Sequence, residues 1–591
     1  MRRSLVLYVT LLLLVIFTGG GAWWASELSY TTVQQYLAAQ APDGEVESYT
    51  PAFHARVLQS LRSTAYGLAG LLVLLLLLFP RIRRGTGLGP AWSTFRADVM
   101  ERVTRYQRQT SSRHKRLVLL LMVGGVALRV WTLGLPVIYD EAFTYTYYAS
   151  RPWHVLLSDY SYPNNHILHT LLVKLSTGLF GVGRVALRLP ALLAGVLVMP
   201  LFYLFVRAVF NRYIALMALA LVAASGGLVE YSALGRGYSI TWLLLVVGLI
   251  LGRQLVRRTD PMAALLLGVV SALGLWTIPT MLYSVALLYL WVLFQVLFDE
   301  DRDRPRLFRL MLFSMCAGAV LSVVLYLPVL IVHGPGQLVY HETMLSNSWL
   351  DFRLKVMDNT FMVWVDLSST TASWVGLLGL AGVVFAGSIS VRYRSLLAAM
   401  VLGAVPLVML QSMVAPPRVW LYTLFVFHLG SAIALFYLLK LVGEHIAPSL
   451  SKRDHTAWAS LMLFITFGAA SVIILPERMP RYPDAEAMAL SLPAKLGPND
   501  RVLLQFPWEA PVEFELTAAG VDRALVYQPP AIGSMVYIVV GRKEEQSWEA
   551  VARHQGIDPA MLRDVRMVED RPATAIFAAR YGGPIAGATT P

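Results

Sequence analysis

Two acidic residues stand side by side where an apolar run of the chain ends. The run begins near Leu117, and residues 132–145 read TLGLPVIYDEAFTY, so Asp140 and Glu141 follow it directly. Adjacent carboxylates beside an apolar segment are costly unless a cationic group lies near them. A positioned carboxylate can also act as a general base or as a metal ligand. Asp140 and Glu141 are therefore the first candidates for chemistry.

The stretch after the acidic pair mixes aromatic, polar and amphipathic segments. Its residues 163–171 read PNNHILHTL, which adds Asn165, His166 and His169 as candidates. From 167 to 180 the apolar residues recur on one face of a helix, as in a helix that lies in the membrane interface. Each polar residue alone is more often structural. Together, beside aromatic rings that suit sugars, they predict a functional loop.

Two later stretches carry an arginine at or near the end of a predicted span. Tyr231, Arg236 and Tyr238 lie within VEYSALGRGYSITW, and Arg418 follows a double proline in QSMVAPPRVWLYTL. A guanidinium fork suits phosphate oxygens, although an arginine at a membrane surface also reaches toward lipid headgroups. Both interpretations stay open on these residues alone. The long loop 333–372 offers three further candidates: His341, Glu342 and Asp351.

The composition of the whole chain sets the class of protein that must position these residues. Of its 591 residues, 57% are hydrophobic and only 14% are charged, with a mean hydropathy of +0.59. A soluble chain of this length needs more polar surface, so the sequence predicts a polytopic membrane protein. The net charge of +13 fits basic cytoplasmic loops, and without a nucleic-acid-binding motif we expect no nucleic acid partner.

A membrane-spanning helix needs about 20 mostly apolar residues. By this criterion we predict about thirteen spans, at 4–25, 62–80, 117–136, 186–207, 213–231, 239–256, 262–277, 281–298, 308–332, 373–390, 395–414, 419–440 and 457–476. The segment 262–298 is too long for one crossing, and Pro279 offers a break between two short helices. The sequence thus predicts an all-α bundle, with interfacial helices in the loop after Glu141.

The distribution of Lys and Arg orients these spans. Residues 81–116 carry ten Lys or Arg and only two acids, so they and the amino terminus are expected on the cytoplasmic side. The alternation then places Asp140, Glu141 and the carboxy-terminal tail outside. The first apolar run resembles a signal peptide in its basic start, but its length and the poor cleavage site AWWA favour an uncleaved span. We therefore expect a multi-pass protein of the cell (inner) membrane.

The chain divides into three parts by composition. Residues 1–116 hold two extra helices and a basic cytoplasmic linker, and residues 117–476 hold the transmembrane core. From 477 to 591, helical spacing in DAEAMALSLPAKL alternates with the β-rich runs RVLLQF, ALVYQ and MVYIVVG. This tail predicts a small soluble α/β domain on the outer face.

The order of these motifs resembles a known enzyme family. A span ending in DE, the segment PNNHILHTLL, then RLPALLAG, YSALGRGYS and PPRVWLYTL follow one another between about 117 and 476. This order resembles the GT-C fold glycosyltransferases of the protein O-mannosyltransferase and aminoarabinose-transferase superfamily. Many members also carry an outer soluble domain, which the tail resembles.

The resemblance implies a role for each candidate residue. Asp140 corresponds to the expected catalytic base, with Glu141 beside it, and His166 fits the family variant that has NH at that point. The family often has HPPL or EKPP where this chain has NNHILH, which leaves open whether a second acid or a histidine assists. The residues expected to bind the donor phosphate are Arg236, Arg418 and Tyr238. The residues expected to bind the rest of the substrate are Asn165, His169, Tyr231 and Arg188.

The implied reaction is transfer of a sugar from a polyprenyl-phosphate carrier to an acceptor on the outer face. A carboxylate can deprotonate the acceptor hydroxyl, and arginines or a divalent cation can stabilise the departing phosphate. Mg²⁺ or Mn²⁺ is a candidate cofactor on Asp140, Glu141 and His166, although their spacing matches no fixed ligand motif. The expected partners are the lipid-linked sugar, membrane lipids, and an acceptor protein, lipid or glycan. On this account Asp140 and Arg418 open into one extracytoplasmic chamber.

Three other functions fit parts of the sequence. A transporter or flippase would carry charged or broken spans near the bilayer centre, whereas the polar residues here gather on one face. A ligase or polymerase of lipid-linked glycans would use the same chemistry with a larger donor. A non-enzymatic assembly protein leaves the aromatic, carboxylate-bearing loop without an explanation.

Overall fold

The protein is described from a computed structural model, which is predominantly helical. The structure describes residues 2–40, 46, 49–83, 88–298, 303–339, 348–371, 373–445 and 452–582. His341 and Glu342, two of the candidates from the long loop, lie outside these residues. The third, Asp351, lies in the first turn of a helix capped by Ser348, whose Oγ accepts from the Asp351 amide at 3.0 Å.

Four helices precede the core: α1 (Arg2–Ala25), α2 (Tyr30–Ala38), α3 (Pro51–Arg83) and α4 (Leu88–Gln109). Helices α1 and α3 pack against each other as a hairpin. The basic linker predicted after the second span is mostly the helix α4. On α4, Asp98 accepts a hydrogen bond from Gln254 Nε2 at 2.9 Å, which ties this helix to the core.

The core runs from α5 to α21. Its helices are α5 (Ser112–Thr132), α6 (Tyr139–Phe143), α7 (Trp153–Ser158), α8 (Ile167–Phe180), α9 (Arg184–Val209), α10 (Arg212–Ala224), α11 (Gly226–Tyr231), α12 (Tyr238–Arg258), α13 (Pro261–Thr277), α14 (Leu282–Phe298), α15 (Arg304–Val332), α16 (Gly336–Val339), α17 (Trp349–Ser368), α18 (Ser373–Ile389), α19 (Val391–Gln411), α20 (Thr423–His445) and α21 (Lys452–Arg478). A π-helix (Thr144–Ala149) continues α6, and 3₁₀ segments (Pro279–Met281 and Pro417–Tyr422) precede α14 and α20.

Every predicted span overlaps a helix, but the helices differ from the spans in their bounds and lengths. Within the described residues, 7 helices are long and apolar enough to cross a membrane. They are Arg184–Val209, Tyr238–Arg258, Pro279–Phe298, Arg304–Val332, Val391–Gln411, Pro417–Val442 and His455–Arg478. Shorter apolar helices are Leu12–Ala25, Ile167–Phe180, Arg212–Ala224, Pro261–Thr277 and Trp374–Ile389. The polytopic helical class is confirmed, while the count of thirteen stays a prediction.

Helix α10 lies at the centre of the bundle and ends at a turn after Ala224. It packs against α5, α9, α20 and α21, and its residues from Ile214 to Ala224 are all buried. The helix ends because Ser225 adopts an extended conformation, so the predicted single span 213–231 is wrong and α11 follows as a separate helix. At Gly226 an added Cβ would lie 2.4 Å from the Thr370 side chain, so only glycine fits this turn. By contrast, the predicted break at Pro279 is confirmed, because α13 ends at Thr277.

The carboxy-terminal part is a small α/β unit, as predicted. It contains α22 (Pro483–Ser491), β1 (Arg501–Leu503), α23 (Glu509–Ala518), α24 (Ala524–Tyr527), β2 (Met535–Gly541), α25 (Trp548–His554), β3 (Leu562–Asp570) and β4 (Thr574–Tyr581). The sheet has the order β1-β2-β4-β3, with β1 parallel to β2 and the other pairs antiparallel. The run ALVYQ is a one-turn helix and not a strand, since the Asp522 carboxylate caps the Ala524 amide at 2.9 Å. The boundaries 1–116, 117–476 and 477–591 stay a prediction.

Candidate active site

The acidic pair lies in the first turn of α6, a short helix on the loop between α5 and α8. The Glu141 carboxylate accepts the backbone amide of Ile138 at 3.0 Å, which caps the start of this helix. The turn after Phe143 widens into the π-helix, a conformation often found at functional sites. Because successive helical side chains point about 100° apart, Asp140 and Glu141 face different surroundings.

Glu141 points into the protein and pairs with Arg188 on α9. The Arg188 Nη2 and Nε donate to the two Glu141 oxygens at 2.5 and 2.9 Å, and both side chains are 0% exposed. The other Arg188 donors reach the carbonyls of Leu133, Leu135 and Pro136. With its five N–H groups donated, Arg188 has none left for a substrate. The expected roles of Glu141 in catalysis and Arg188 in substrate binding are therefore corrected: the pair is structural.

The environment of Glu141 keeps it ionised. Burial alone would raise the pKa of the carboxyl, but the Arg188 guanidinium and the amides of Gly235 and Ile138 outweigh it and lower the pKa. The Gly235 amide donates to Glu141 Oε2 at 2.8 Å. This contact joins the α11–α12 connection, which carries Arg236, to the helix that carries Asp140.

Asp140 points the other way, toward Arg418. The Arg418 Nη1 lies 3.9 Å from Asp140 Oδ2, and the two side chains are 38% and 36% exposed. Tyr238 and Tyr231 lie near the guanidinium, and His166 is close enough to be affected by its charge. The two tyrosine rings meet edge to face with centroids 5.2 Å apart. We call the space bounded by Asp140, Arg418 and these two tyrosines the Asp140–Arg418 chamber.

The carboxylate of Asp140 is the available acid of this chamber. Among the residues that the structure describes, none donates a hydrogen bond to its oxygens, and the 3.9 Å approach of Arg418 is longer than a hydrogen bond. The backbone of Asp140 is held instead, because its carbonyl accepts from Thr144 Oγ1 at 2.8 Å and from Asn164 Nδ2 at 3.1 Å. A fixed backbone with a free carboxylate is the arrangement that a general base requires.

Arg236 lies beneath the Asp140 loop and is only 3% exposed. Its Nη1 donates to Thr144 Oγ1 at 2.9 Å and to the Asn164 carbonyl at 3.0 Å, and its Nη2 lies 3.0 Å from His166 Nε2. These contacts join the two segments that flank the chamber. The structure does not place Arg236 to bind a donor phosphate as expected, because its guanidinium is directed at the loop.

His166 is buried against the same arginine and is not placed as an acid or base. The Gly237 amide donates to its Nδ1 at 2.9 Å, while Arg236 faces its Nε2. Burial, followed by the nearby Arg236 charge, holds the pKa of His166 well below its usual value. The ring is therefore neutral at physiological pH, and its two nitrogens face the Gly237 amide and Arg236 and not Asp140, so the structure does not support the expected catalytic role.

Asn165 and His169 are also buried, both 0% exposed. Asn165 Nδ2 donates to the carbonyls of Leu156 and Asp159, each at 2.9 Å, which fixes the loop between α7 and α8. The ring nitrogens of His169 have no hydrogen-bond partner within the described residues. Neither side chain opens into the Asp140–Arg418 chamber, so the structure gives them no contact with a substrate. Tyr231, by contrast, lies near Arg418, and its expected role in substrate binding stays a prediction.

The three expected metal ligands do not converge. Glu141 is committed to Arg188, His166 faces Arg236 and Gly237, and only Asp140 has a free carboxylate. Across the part of the chain that the structure describes, no group of three or more His, Cys, Asp or Glu is placed to hold a metal ion. Asp140, Glu141 and His166 therefore do not fit a shared divalent cation.

Sequence reasoning missed a second buried charge cluster beside the chamber. Arg478 Nη1 and Arg481 Nη2 donate to the two oxygens of Glu230 at 2.5 and 2.9 Å, and Arg478 also contacts Asp366 at 3.0 Å. This cluster holds α11, which carries Tyr231, against α17 and the end of α21. The signal was present, since a glutamate among buried residues requires a cation and two arginines follow the last span.

Comparison with known proteins supports the fold. Residues 164–332 match the family described as dolichyl-phosphate-mannose-protein mannosyltransferase. The crystal structure of ArnT from Cupriavidus metallidurans in the apo state superposes with a TM-score of 0.50 and 13% identity, covering 79% of this chain and 98% of that one. The structure of the same protein bound to undecaprenyl phosphate gives 0.51 and 14% identity, covering 79% and 99%. No curated protein sequence matches the chain.

At 13–14% identity the superposition shows similarity of fold. The family match covers the segment from Asn164, which contacts the Asp140 backbone, to the end of α15. Both agree with the motifs that resemble the GT-C glycosyltransferases. The chain is therefore a polytopic helical membrane protein with the fold of these ArnT structures, which is the GT-C fold that its motifs resemble, and its residues 164–332 are similar to the dolichyl-phosphate-mannose-protein mannosyltransferase family.

Proposed function

We propose that this protein is a membrane glycosyltransferase that moves a sugar from a polyprenyl-phosphate carrier to an acceptor hydroxyl on the extracytoplasmic face. The observation that carries the proposal is the 3.9 Å approach of Arg418 to Asp140 within a partly exposed chamber. A free carboxylate and a cation at this distance can contact an acceptor hydroxyl and a donor phosphate at the same time. The family match and the fold support this chemistry.

Asp140 is the general base in this proposal. It takes the proton of the acceptor hydroxyl while the acceptor oxygen bonds to the anomeric carbon of the donor sugar. The bond from that carbon to the phosphate oxygen breaks, and the electron pair leaves with the phosphate. Since no described residue donates a hydrogen bond to the Asp140 oxygens, they are free to accept this proton.

Arg418 binds the phosphate of the donor and stabilises the charge that it gains. Its guanidinium is partly exposed and paired only loosely with Asp140, so it retains donors for a ligand. Tyr238 and Tyr231, which border Arg418, place phenol hydroxyls beside the same phosphate. Charge stabilisation by such fixed donors is usually a large contribution to catalysis.

An apolar cavity of about 890 Å³ in the helical core suits the carrier lipid. It opens between α10, α17, α18, α20 and α21, and its lining includes Leu221, Trp364, Phe427 and Phe467. Thr423 and Leu424 at the start of α20 also line it, and α20 directly follows the 3₁₀ segment that carries Arg418. A prenyl chain in this cavity would place its phosphate toward Arg418.

The proposal includes the expected location and partners. The protein lies in the cell (inner) membrane with a cytoplasmic amino terminus, and α22–α25 with β1–β4 form an extracytoplasmic domain. The solved relative is bound to undecaprenyl phosphate, and the matching family is described by dolichyl-phosphate-mannose. The donor here is a sugar on a carrier of this chemical class, and the acceptor is a protein, lipid or glycan.

The experiment supplies purified protein in lipid nanodiscs with radiolabelled polyprenyl-phosphate sugars and a membrane extract as acceptor. We expect label to move from the lipid to the extract with wild-type protein but not with Asp140→Asn. Full transfer by this variant would show that Asp140 is not the base. If no lipid-linked sugar is consumed by the wild type, the transferase proposal fails, and flipping of the same lipids in sealed vesicles would then support a transporter.

A further inference from the structure

The carboxy-terminal domain contacts the helix of Asp140 directly. Tyr139, the residue before Asp140, donates its hydroxyl to Glu509 Oε1 on α23 at 2.6 Å. The Tyr139 ring also meets the Phe506 ring edge to face at 5.2 Å. A phenol bound to a carboxylate is a strong, charge-assisted hydrogen bond. The start of α6 is therefore tied to the outer domain immediately beside the proposed base.

A second tie holds the π-helix that follows Asp140. Arg523 Nη1 donates to Ser150 Oγ at 2.7 Å, and its Nη2 donates to the Thr146 carbonyl at 2.9 Å. Glu513 orients this arginine by accepting its Nε at 2.7 Å, and the guanidinium lies over the Tyr527 ring. Arg523 thus reaches from the outer domain to both the backbone and a side chain of the loop.

The π-helix has a physical need for such partners. Its wider i→i+5 hydrogen bonding is uncommon and persists where the surroundings support it. Arg523 supplies one outside donor, at Thr146, and Lys174 Nζ on α8 supplies another, at the Ala149 carbonyl at 2.9 Å. The last turn is therefore held from the outer domain on one side and from the core on the other.

Apolar packing closes the same interface. Phe514 and Ala510 on α23 are buried with Val137, Ala142 and Tyr145 from the Asp140 loop. The Tyr145 and Phe514 rings meet edge to face at 5.4 Å. The polar ties at Glu509 and Arg523 lie at either end of this apolar contact, so they set the position of the helix along a surface that is already buried.

We propose that Glu509 and Arg523 are positioning residues, through which the carboxy-terminal domain clamps the Asp140 helix at both ends and sets the place of the carboxylate in the chamber. This inference rests on the proposed function, because it takes Asp140 as the base. Neither residue borders Arg418, so the clamp acts on the base and not on the donor phosphate.

If the two residues position Asp140, their loss should lower kcat and leave KM for the lipid donor nearly unchanged. A misplacement of about 1 Å can lower a catalysed rate on the order of 100-fold, so we expect Glu509→Ala and Arg523→Ala to lower kcat by at least ~10-fold. KM for the lipid donor should stay within about threefold, since uniform binding is not changed. Glu509→Gln and Arg523→Lys keep an acceptor and a donor, respectively, and should restore part of the rate.

The experiment uses the full-length protein in nanodiscs and combines transfer kinetics with hydrogen–deuterium exchange over residues 139–151. Arg571→Ala is the matched control, because Arg571 pairs with Glu569 within the outer domain and has no contact with the Asp140 helix. We expect faster exchange of residues 139–151 and lower kcat in both alanine variants, and neither change in Arg571→Ala. Partial rescue by Glu509→Gln and Arg523→Lys distinguishes positioning from a general loss of folding.

Two results would overturn the clamp. Unchanged exchange in both alanine variants would show that Glu509 and Arg523 do not hold the helix. Faster exchange with wild-type kcat would show that the hold has no consequence for the reaction. If the wild type consumes no lipid-linked sugar, the proposed function fails on its own, and the exchange measurement still decides whether the two residues hold the helix.

Discussion

Asp140 and Arg418 lie 3.9 Å apart, although one precedes α8 and the other precedes α20. The approach is close enough for one ligand to contact both side chains, and too long for a hydrogen bond that would occupy the carboxylate. Beneath this pair, the buried contacts of Glu141 with Arg188 and of Arg236 with His166 fix the backbone. The site therefore has two partly exposed charged groups above a buried polar support.

Replacing Arg418 should weaken donor binding and also slow the reaction of bound donor, because the arginine binds the phosphate and stabilises the charge that it gains. Hydrogen bonds to charged groups are worth about 1.5–3 kcal/mol, and a partly exposed arginine belongs at the lower end, so we expect Arg418→Ala to raise the Kd for undecaprenyl phosphate by ~10-fold or more. Arg418→Lys keeps the charge without the fork and should recover part of the affinity. Competition with a fluorescent polyprenyl phosphate measures the Kd.

The matched control for Arg418 is Arg394→Ala. Arg394 donates to the carbonyls of Gly387 and Ser388 and has no contact with the chamber. The Kd of the Arg394→Ala variant for undecaprenyl phosphate should equal that of the wild type. An unchanged Kd in Arg418→Ala would contradict the assignment of this residue to the donor phosphate.

Breaking the Glu141–Arg188 pair should destabilise the protein. Removing one partner of a buried ion pair leaves an uncompensated charge and costs about 3–5 kcal/mol, so Glu141→Gln should lower Tm strongly in detergent. Asp140→Asn changes a partly exposed group and should leave Tm close to that of the wild type. Equal Tm values for the wild type and Glu141→Gln would show that the pair has no structural role.

The pH dependence of this pair has a definite sign. The pKa of Glu141 is lower in the folded protein than in the unfolded chain. Its stabilising contribution is therefore present above the unfolded value of about 4.3 and is lost as the pH falls through the folded pKa. In Glu141→Gln, this acid-dependent part of the Tm profile should disappear.

His166 should make folding less favourable on mild acidification. The pKa of His166 is lower in the folded protein than in the unfolded chain, where it is about 6.5. Below this pH the unfolded chain therefore binds a proton on His166 that the folded protein does not bind. Stability should therefore fall as the pH decreases from about 6.5 to 5, and His166→Gln should show a smaller fall. Tm measured across this range tests the sign, and identical slopes for both proteins would contradict the buried, neutral ring.

Much of the fold and one essential part of the site could be predicted from the sequence. Apolar run lengths located the helices, and Pro279 marked a true helix break. Asp140, Arg418, Tyr231 and Tyr238 were all named from residue type and position, and the structure brings them together.

Three features of the site depend on three-dimensional structure that the linear sequence does not show. Glu141 follows Asp140 directly, but the helical turn directs one carboxylate inward and the other outward, and a linear pattern does not show which. Arg188 and Arg236 were expected to bind ligands because they are cationic, yet buried carbonyls and carboxylates use their donors. The contacts of Glu509 and Arg523 with the Asp140 helix depend on tertiary packing between segments far apart in the chain, for which the sequence carries no local signal.

The most direct test of the account compares single-turnover transfer by wild-type protein and Asp140→Asn, each saturated with the same radiolabelled polyprenyl-phosphate sugar. A general base typically contributes 10²- to 10⁴-fold, so the account predicts a rate lower by at least about 100-fold. Donor affinity should be unchanged or higher, because the asparagine no longer competes with phosphate for Arg418. A transfer rate within about twofold of the wild type, with donor bound, would contradict the role of Asp140 and with it the proposed chamber.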